Sequence, residues 1–323
     1  MAVTLKQLAS ELGVSVATVS LALRNDPLVA EKTRRKVLDL ANKRDYVSSY
    51  LGKALQSRRT HLIGFLLPGV THSFYDEILQ GAGDAAIKTG YGLLVGWVND
   101  SPQNNLRQVS MMLEKDVDAL IISDHKGLVS GCEERFLRRG KPVVYCTGTP
   151  RDDFACVVND DILGGKLALD LLYAHGHRHI LISRQHALRC QGNKLAAAGL
   201  PVRLTEYFDV SEAINAILQD RSITAIAAYA DHEAFDLMYG LRAHNIRVPE
   251  DVSIVGFNDD PPASRPEYQL TTIAQQRTEL GYASVELAIK MLNFTNQECE
   301  TKIILPPSAV IRKTVINRTS LSL

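Results

Sequence analysis

Residues with the chemistry of a catalyst or a metal site are few and poorly spaced for either use. The five cysteines, Cys132, Cys146, Cys156, Cys190 and Cys299, include no CxxC pair. An odd, scattered set of thiols is expected to be buried in a protein of a reducing compartment. His175, His177 and His179 alternate, the one arrangement that suggests metal ligands. Walker loops, GxGxxG fingerprints and GxSxG elbows are absent, so no cofactor is expected and an enzyme has no motif to rest on. Charge is the stronger signal. The formal net charge is zero, yet residues 1–60 carry 11 Lys and Arg against 5 Asp and Glu, a net of +6, and the remainder 25 against 31, a net of −6. A basic head on an acidic body fits a polyanion-binding module joined to something that need not touch the polyanion.

The elements that would position these groups divide the chain. At 323 residues it exceeds one ordinary core, and two or three domains are expected. An apolar fraction of 46% and a charged fraction of 22% are those of a soluble globular protein. Residues 1–6 contain no apolar signal-peptide core, and no stretch approaches the roughly 18 apolar residues of a membrane span, so a cytoplasmic protein with no membrane partner is expected.

Thr4 with Gln7 forms a capping box ahead of Leu5, Leu8 and Leu12. Gly13 ends that helix, and Ser15 caps a second with Val16, Val19 and Leu23 at helical spacing. A third helix, from Glu31 to Lys43, is expected to bury Val37, Leu38 and Ala41. Residues 46–60 have linker composition, with Ser48, Ser49, Gly52, Ser57 and Thr60 among Lys53, Arg58 and Arg59, and one residue of buried type, Leu55. From Leu62 onward, apolar runs at 62–67, 91–98, 118–122, 142–146, 179–183, 224–229 and 252–257 alternate with helical patterns at 74–89, 104–115, 162–174, 232–243 and 277–294. Such alternation indicates βαβ units and parallel sheets. The expected fold is a small all-α helix-turn-helix domain at 1–46 and a linker at 47–60. An α/β body at 61–323 follows, built of two doubly wound subdomains with a ligand cleft between them.

The segment from Leu5 to Arg24, with Gly13-Val14-Ser15 and Thr18-Val19-Ser20 at its centre, resembles the helix-turn-helix of the LacI/GalR family of bacterial repressors. The likeness continues through Ala30–Val37, Asp45-Tyr46, residues 60–64, Phe74–Ile78, residues 176–180, Pro249–Phe257 and Leu270–Ile273, and so spans nearly the whole chain. Two of the alternating histidines fall in the family's Gly-His-Arg loop, which leads into a strand.

The resemblance implies a homodimeric transcription regulator, a repressor, that binds a near-palindromic double-stranded DNA operator under control of a small-molecule effector such as a sugar. Val16, Ala17 and Leu21 then face base edges, Ser15, Thr18, Ser20 and Thr33 offer hydroxyls to phosphates, and Thr4 and Arg24 complete the DNA-binding set in the head. Leu21 stands where many relatives have Arg, so bidentate readout is lost, and small apolar contacts with thymine methyls and DNA shape take its place. Leu55 matches the leucine that relatives wedge into the minor groove, and Lys53 is placed to neutralise a phosphate. Gly52 stands where Ala is common and costs a hinge helix roughly 1 kcal/mol.

In the body the resemblance places Phe74, Tyr75, Ser123, Thr147, Arg189, Asp231 and Asn258 around the effector. Asn258 replaces a usual Asp, Ala230 a usual Asn, and the second subdomain is shortened between Ser183 and Phe208. A cytosolic small-molecule sensor with a weakened effector response is the alternative reading.

Overall fold

The computed structural model describes residues 3–46, 59–69, 73–123, 131–293 and 301–318. They fall into two compact units, Met1–His61 and Leu62–Leu323.

The head consists of helices α1 (Leu5–Leu12), α2 (Val16–Leu23) and α3 (Glu31–Lys43). The capping box at Thr4 forms in both directions: the Gln7 amide donates to Thr4 Oγ1 at 3.3 Å, and the Thr4 amide to Gln7 Oε1 at 2.8 Å. Gly13 adopts φ 63°, the left-handed turn that closes α1 and that glycine takes at no steric cost. Leu8, Val19, Ala22, Val29, Val37 and Ala41 make up the buried core. The expectation that Leu38 is buried is wrong: it is 37% exposed. On α3 the buried positions Val37 and Ala41 are four residues apart and leave Leu38 on the outer flank. Likewise Ala22 is buried in α2, with Leu23 at the core's edge.

The second unit carries two six-stranded sheets. The first has the order β11-β5-β4-β3-β1-β2, from β1 (Leu62–Pro68), β2 (Gly92–Val98), β3 (Ala119–Ser123), β4 (Val143–Cys146), β5 (Ala155–Asn159) and β11 (Lys302–Leu305). All its pairings are parallel. The second has the order β12-β10-β9-β8-β6-β7, from β6 (His179–Ser183), β7 (Arg203–Tyr207), β8 (Ala225–Ala227), β9 (Ser253–Asn258), β10 (Thr271–Ala274) and β12 (Ser308–Val310). There only the β10–β12 pairing is antiparallel. Within each sheet the first five strands follow the doubly wound order 2-1-3-4-5, which opens a crevice at the carboxyl ends where the order reverses. Apolar cores cover both faces of both sheets, as parallel sheets require.

The intervening helices are α4 (Ser73–Thr89), α5 (Pro102–Glu114), α6 (Cys132–Leu137), α7 (Asp161–Ala174), α8 (Ala187–Ala197), α9 (Val210–Gln219), α10 (Asp231–Ala243) and α11 (Arg277–Asn293). The chain passes from one lobe to the other after β5, after β10 and between β11 and β12. The periodicity passed over β5, β7 and β10–β12; in β7, at the sheet edge, Arg203–Tyr207 buries only Tyr207 and has no apolar run to detect, whereas β5 is short but fully buried. Among the described residues no helix is long and apolar enough to cross a membrane.

Helices α4 and α11 cross at backbone contact. A Cβ on Gly281 would stand 1.8 Å from the Ile78 carbonyl oxygen, and one on Gly81 would stand 1.9 Å from that of Thr278. Any side chain at the crossing forces the helices apart. Gly281→Ala is therefore expected to destabilise the body by about 1–3 kcal/mol, measured as a lower urea midpoint at unchanged m-value.

Candidate functional site

Two surfaces hold the residues singled out in the sequence. In the head, Ser15 starts α2 by accepting the Thr18 amide at 3.0 Å, and its hydroxyl meets that of Thr18 at 2.8 Å. The cap directs the first turn of α2 outward, with Val16 40% exposed and Ala17 exposed beside it. Ser20 and Thr33 are half-buried, while Thr4 and Arg24 are exposed, with Arg24 Nε reaching the Ser20 carbonyl at 3.3 Å. Leu21 departs from expectation, being half-buried against the head core, because it follows the inner position Val19 by two residues and precedes buried Ala22. Of the basic residues on α3, Arg34 and Arg35 are both held by Glu31 at 2.9 Å. Lys53 and Leu55 lie outside the described residues.

In the second unit, a cavity of about 150 Å³ is bounded by Phe74 and Tyr75 from the start of α4, by Arg189 from α8, and by residues at the carboxyl ends of β8, β9 and β10. Four of the seven expected residues meet there: Phe74, Tyr75, Arg189 and Asn258. Phe74 and Tyr75 pack edge to face at 5.1 Å. Arg189 donates from Nε to Asp161 at 2.7 Å and from Nη1 to the Tyr229 carbonyl at 2.8 Å, with its plane 3.6 Å from the Phe257 ring centre.

The other three stand elsewhere. Ser123 and Thr147 are buried and bond each other at 3.2 Å. Thr147 also holds φ 74°, a conformation that a β-branched residue rarely accepts. Asp231 is fully buried at the start of α10, where its carboxylate accepts from Thr272 Oγ1 and from the Asp260 amide, both at 2.6 Å. It ties the loop after β9 to the sheet instead of reaching the cleft.

Four lining residues escape the sequence reading, Tyr229, His232, Asp260 and Gln275, and Ala230 lines the cavity where a usual Asn is replaced. All follow strand ends, which is the available signal for the first three; β10, which delivers Gln275, carries no apolar run. Asp260 supplies a carboxylate two residues beyond Asn258, the position at which one had seemed to be missing. Gln275 takes a bond from Asn159 of the first lobe and gives one to Asn258 of the second at 2.6 Å. Arg277, only 4% exposed, binds Glu77 of the first lobe and Asp260 of the second, each at 2.7 Å. Glu233, buried beneath Tyr229, accepts the Tyr229 amide at 2.6 Å, the Tyr207 hydroxyl at 2.8 Å and Gln185 Nε2 at 2.7 Å, and burial raises its carboxyl above the ordinary range.

The alternating histidines face separate partners: His175 the Leu171 carbonyl, His177 the Thr224 hydroxyl, and His179 the hydroxyls of Ser222 and Thr205. Burial lowers His177 to about 4.

Comparison with known proteins places these surfaces in context. The family described as bacterial regulatory proteins, lacI family, matches residues 4–49, and a periplasmic binding protein-like domain matches residues 169–315. The HTH-type transcriptional regulator DegA of Bacillus subtilis (strain 168) is 27% identical over 97% of this chain and 98% of its own length. Catabolite control protein A of Priestia megaterium is 28% identical over 91% and 93%. A lac repressor dimer bound to operator and the anti-inducer ONPF shares the fold, with a TM-score of 0.84 at 23% identity over 98% of this chain and 100% of that one.

Burial pushes the Asp231 carboxyl up to about 7, against the lowering effect of its Thr272 and Asp260 donors. Because the folded value lies above the unfolded one, the folded state holds the proton more tightly. That contribution is complete below pH about 4 and is lost as pH rises through about 7. Asp231→Asn can keep an acceptor toward the Asp260 amide and a donor toward Thr272. The variant is expected to lose less stability than the parent between those two pH values, as followed by urea unfolding at stepped pH.

Proposed function

We propose that the chain is a DNA-binding transcription regulator of the lacI family, on the match of its head to that family and its similarity to such regulators, and that its two units divide the work. The head reads an operator, and the cleft of the body receives a small effector. The observation that carries the head's part is the exposed first turn of α2. Val16 and Ala17 stand outward although their neighbours Val19 and Ala22 fill the core, which is the geometry of a helix offering its N-terminal residues to a major groove. Apolar side chains there read thymine methyls. With Leu21 half-buried, the head makes less direct base contact than a recognition helix rich in Arg and Gln, and sequence-dependent DNA shape supplies more of the specificity. The hydroxyls of Ser15, Thr18, Ser20 and Thr33, with Thr4 and Arg24, serve the phosphates. Lys53 and Leu55 are assigned to the minor-groove hinge from sequence alone.

The chain acts as a homodimer in this reading. On the second lobe a groove of about 660 Å³ carries Phe235, Met238, Tyr239 and Tyr268 beside Arg242 and Glu267, and Tyr239 is 82% exposed. A two-fold interface presents the same patch from both copies, and apolar rings beside charges of opposite sign give that patch groups that can meet their own counterparts. A dimer presents two heads to a near-palindrome. The effector acts by binding the two lobe arrangements with different affinity. The relatives are transcription regulators, and the cleft serves binding and not turnover. A cytoplasmic location follows from the DNA target.

The test is selection of duplexes from a random DNA library by the purified full-length chain. Recovery of a short palindrome is expected; recovery of no preferred sequence counts against specific reading. Val16→Ala removes about two methylene equivalents of apolar contact, worth about 1.5 kcal/mol, so the selected duplex should bind roughly tenfold more weakly with the head's melting unchanged. Tyr239→Glu, at a position whose exposure spares the protomer, is expected to leave a folded monomer by sedimentation; a dimer that persists removes this face from the assembly.

A further inference from the structure

The second lobe carries another pocket, at the end of its sheet away from the cleft. Its volume is about 350 Å³, and it lies at the amino ends of β8 and β9, among the turn after α9, the turn after α10 and Arg318. Ile217, Ile223, Ile246 and Val252 close it on the inside, each no more than 3% exposed. Its polar lining includes two guanidiniums, Arg221 and Arg318.

Neither guanidinium is neutralised. Arg221 is exposed and has no hydrogen-bond or ion-pair partner among the described residues. Arg318 donates from Nη2 to the carbonyls of Asp251 at 2.8 Å and Glu250 at 3.3 Å, neutral acceptors that leave its charge in place. Its Nε is buried without a partner, a costly state for a donor. The neighbouring carboxylates are occupied elsewhere. Asp251, the one carboxylate among the described lining residues, accepts from the Arg247 amide at 2.8 Å and from Arg247 Nε and Nη2 at 3.0 Å each. Those bonds hold its carboxyl down at about 2. Asp220, beside Arg221 in the chain, takes the Ser222 amide at 2.9 Å and the Ser222 hydroxyl at 2.6 Å, and lies 3.5 Å from Arg203 and 3.6 Å from His179. Glu250 lines the adjoining groove. Residues 319–323 contain no charged side chain.

An anion therefore meets two guanidiniums and has no ion pair to break. A cation would meet two like charges, and could reach a carboxylate only by opening the Arg247–Asp251 pair. A neutral guest can use the same donors, but hydrogen bonds with ionised partners are roughly twice as strong as neutral ones.

We infer that the second lobe holds a site for a small oxyanion, a phosphate or polycarboxylate group bound between Arg221 and Arg318, separate from the cleft. Helix α10 joins the two places: His232 in its first turn lines the cleft cavity, and Asn245, just past its end, lines the anion pocket. Asn245 and Ile246 also line the groove assigned to the second copy, so the bound anion sits beside that face.

The test is thermal unfolding of the full-length chain and of Arg221→Gln with inorganic phosphate, citrate, xylitol or putrescine at matched ionic strength. A ligand bound only by the folded state raises the midpoint by mass action. Multivalent anions also stabilise proteins by exclusion from the surface, an effect common to both chains, so the readout is the difference between them. With phosphate or citrate at about ten times its Kd, the parent is expected to rise by roughly 3 °C more than Arg221→Gln. A difference with phosphate alone assigns a phosphate group, with citrate alone a polycarboxylate, and with both a general oxyanion site. Equal rises in the two chains for both anions overturn the inference, as does a rise with xylitol or putrescine that depends on Arg221. Because Arg221 is exposed and unpartnered, its replacement is expected to leave the ligand-free midpoint unchanged.

Discussion

A single buried guanidinium joins the two lobes. Arg277, the first residue of α11, pairs with Glu77 on α4 and reaches Asp260 beyond β9. A desolvated cation shared by two carboxylates is strongly held once formed, and removing one partner of such a pair typically costs 3–5 kcal/mol. The cleft inherits its shape from this constraint. Glu77 lies three residues beyond Phe74, and Asp260 two beyond Asn258, so fixing those carboxylates fixes the walls that carry the lining side chains. Gln275, two residues before Arg277, repeats the arrangement with neutral groups by joining Asn159 to Asn258.

A second layer supports that frame. Asp231 holds the Asp260 amide, and Thr272 holds Asp231. Glu233 holds the Tyr229 amide, so the loop after β8 is set from below. Buried carboxylates that accept several protein donors rigidify a site when every member is satisfied. They also raise the cost of changing the cleft, and the Asp161–Arg189 pair is the clearest case: it fixes the position of the arginine in the cavity wall. The head contrasts with this body. Its core has few large side chains, and much of its definition comes from local devices, the capping box at Thr4, the left-handed Gly13 and the Ser15 cap. Such a module is marginal by itself, which suits a reader that gains order when it meets its target.

Much of the fold was legible because it depends on local rules. The extents of α3 and β6 follow from the pattern directly, since continuous apolar runs and helical spacing report burial without reference to partners. Short edge strands and strands rich in threonine were missed for the same reason: β7 is half solvated, and β10 reads as polar because Thr271 and Thr272 are buried through hydrogen bonds. Phe74, Tyr75, Arg189 and Asn258 were found in the cleft by likeness of position. Ser123, Thr147 and Asp231, named by the same likeness, bond one another or the neighbouring strands, because position along a strand end does not say which neighbour will claim a side chain.

The sequence by itself determined the division into a basic helical head and an α/β body, the caps and turn that build the head, and the resemblance of the head to lacI-family regulators. These are written in nearest-neighbour chemistry: side chains that bond amides two or three residues away, glycine where φ is positive, and apolar residues at periods set by the backbone. Only the tertiary structure decided which charges cancel. Arg189 and Asp161 are 28 residues apart, Arg277 and Glu77 200 apart, and no local rule couples them. Arg189 meets Asp161 where α7 packs on α8, and Arg277 meets Glu77 and Asp260 where the two lobes come together, so each pairing exists only once distant elements have packed.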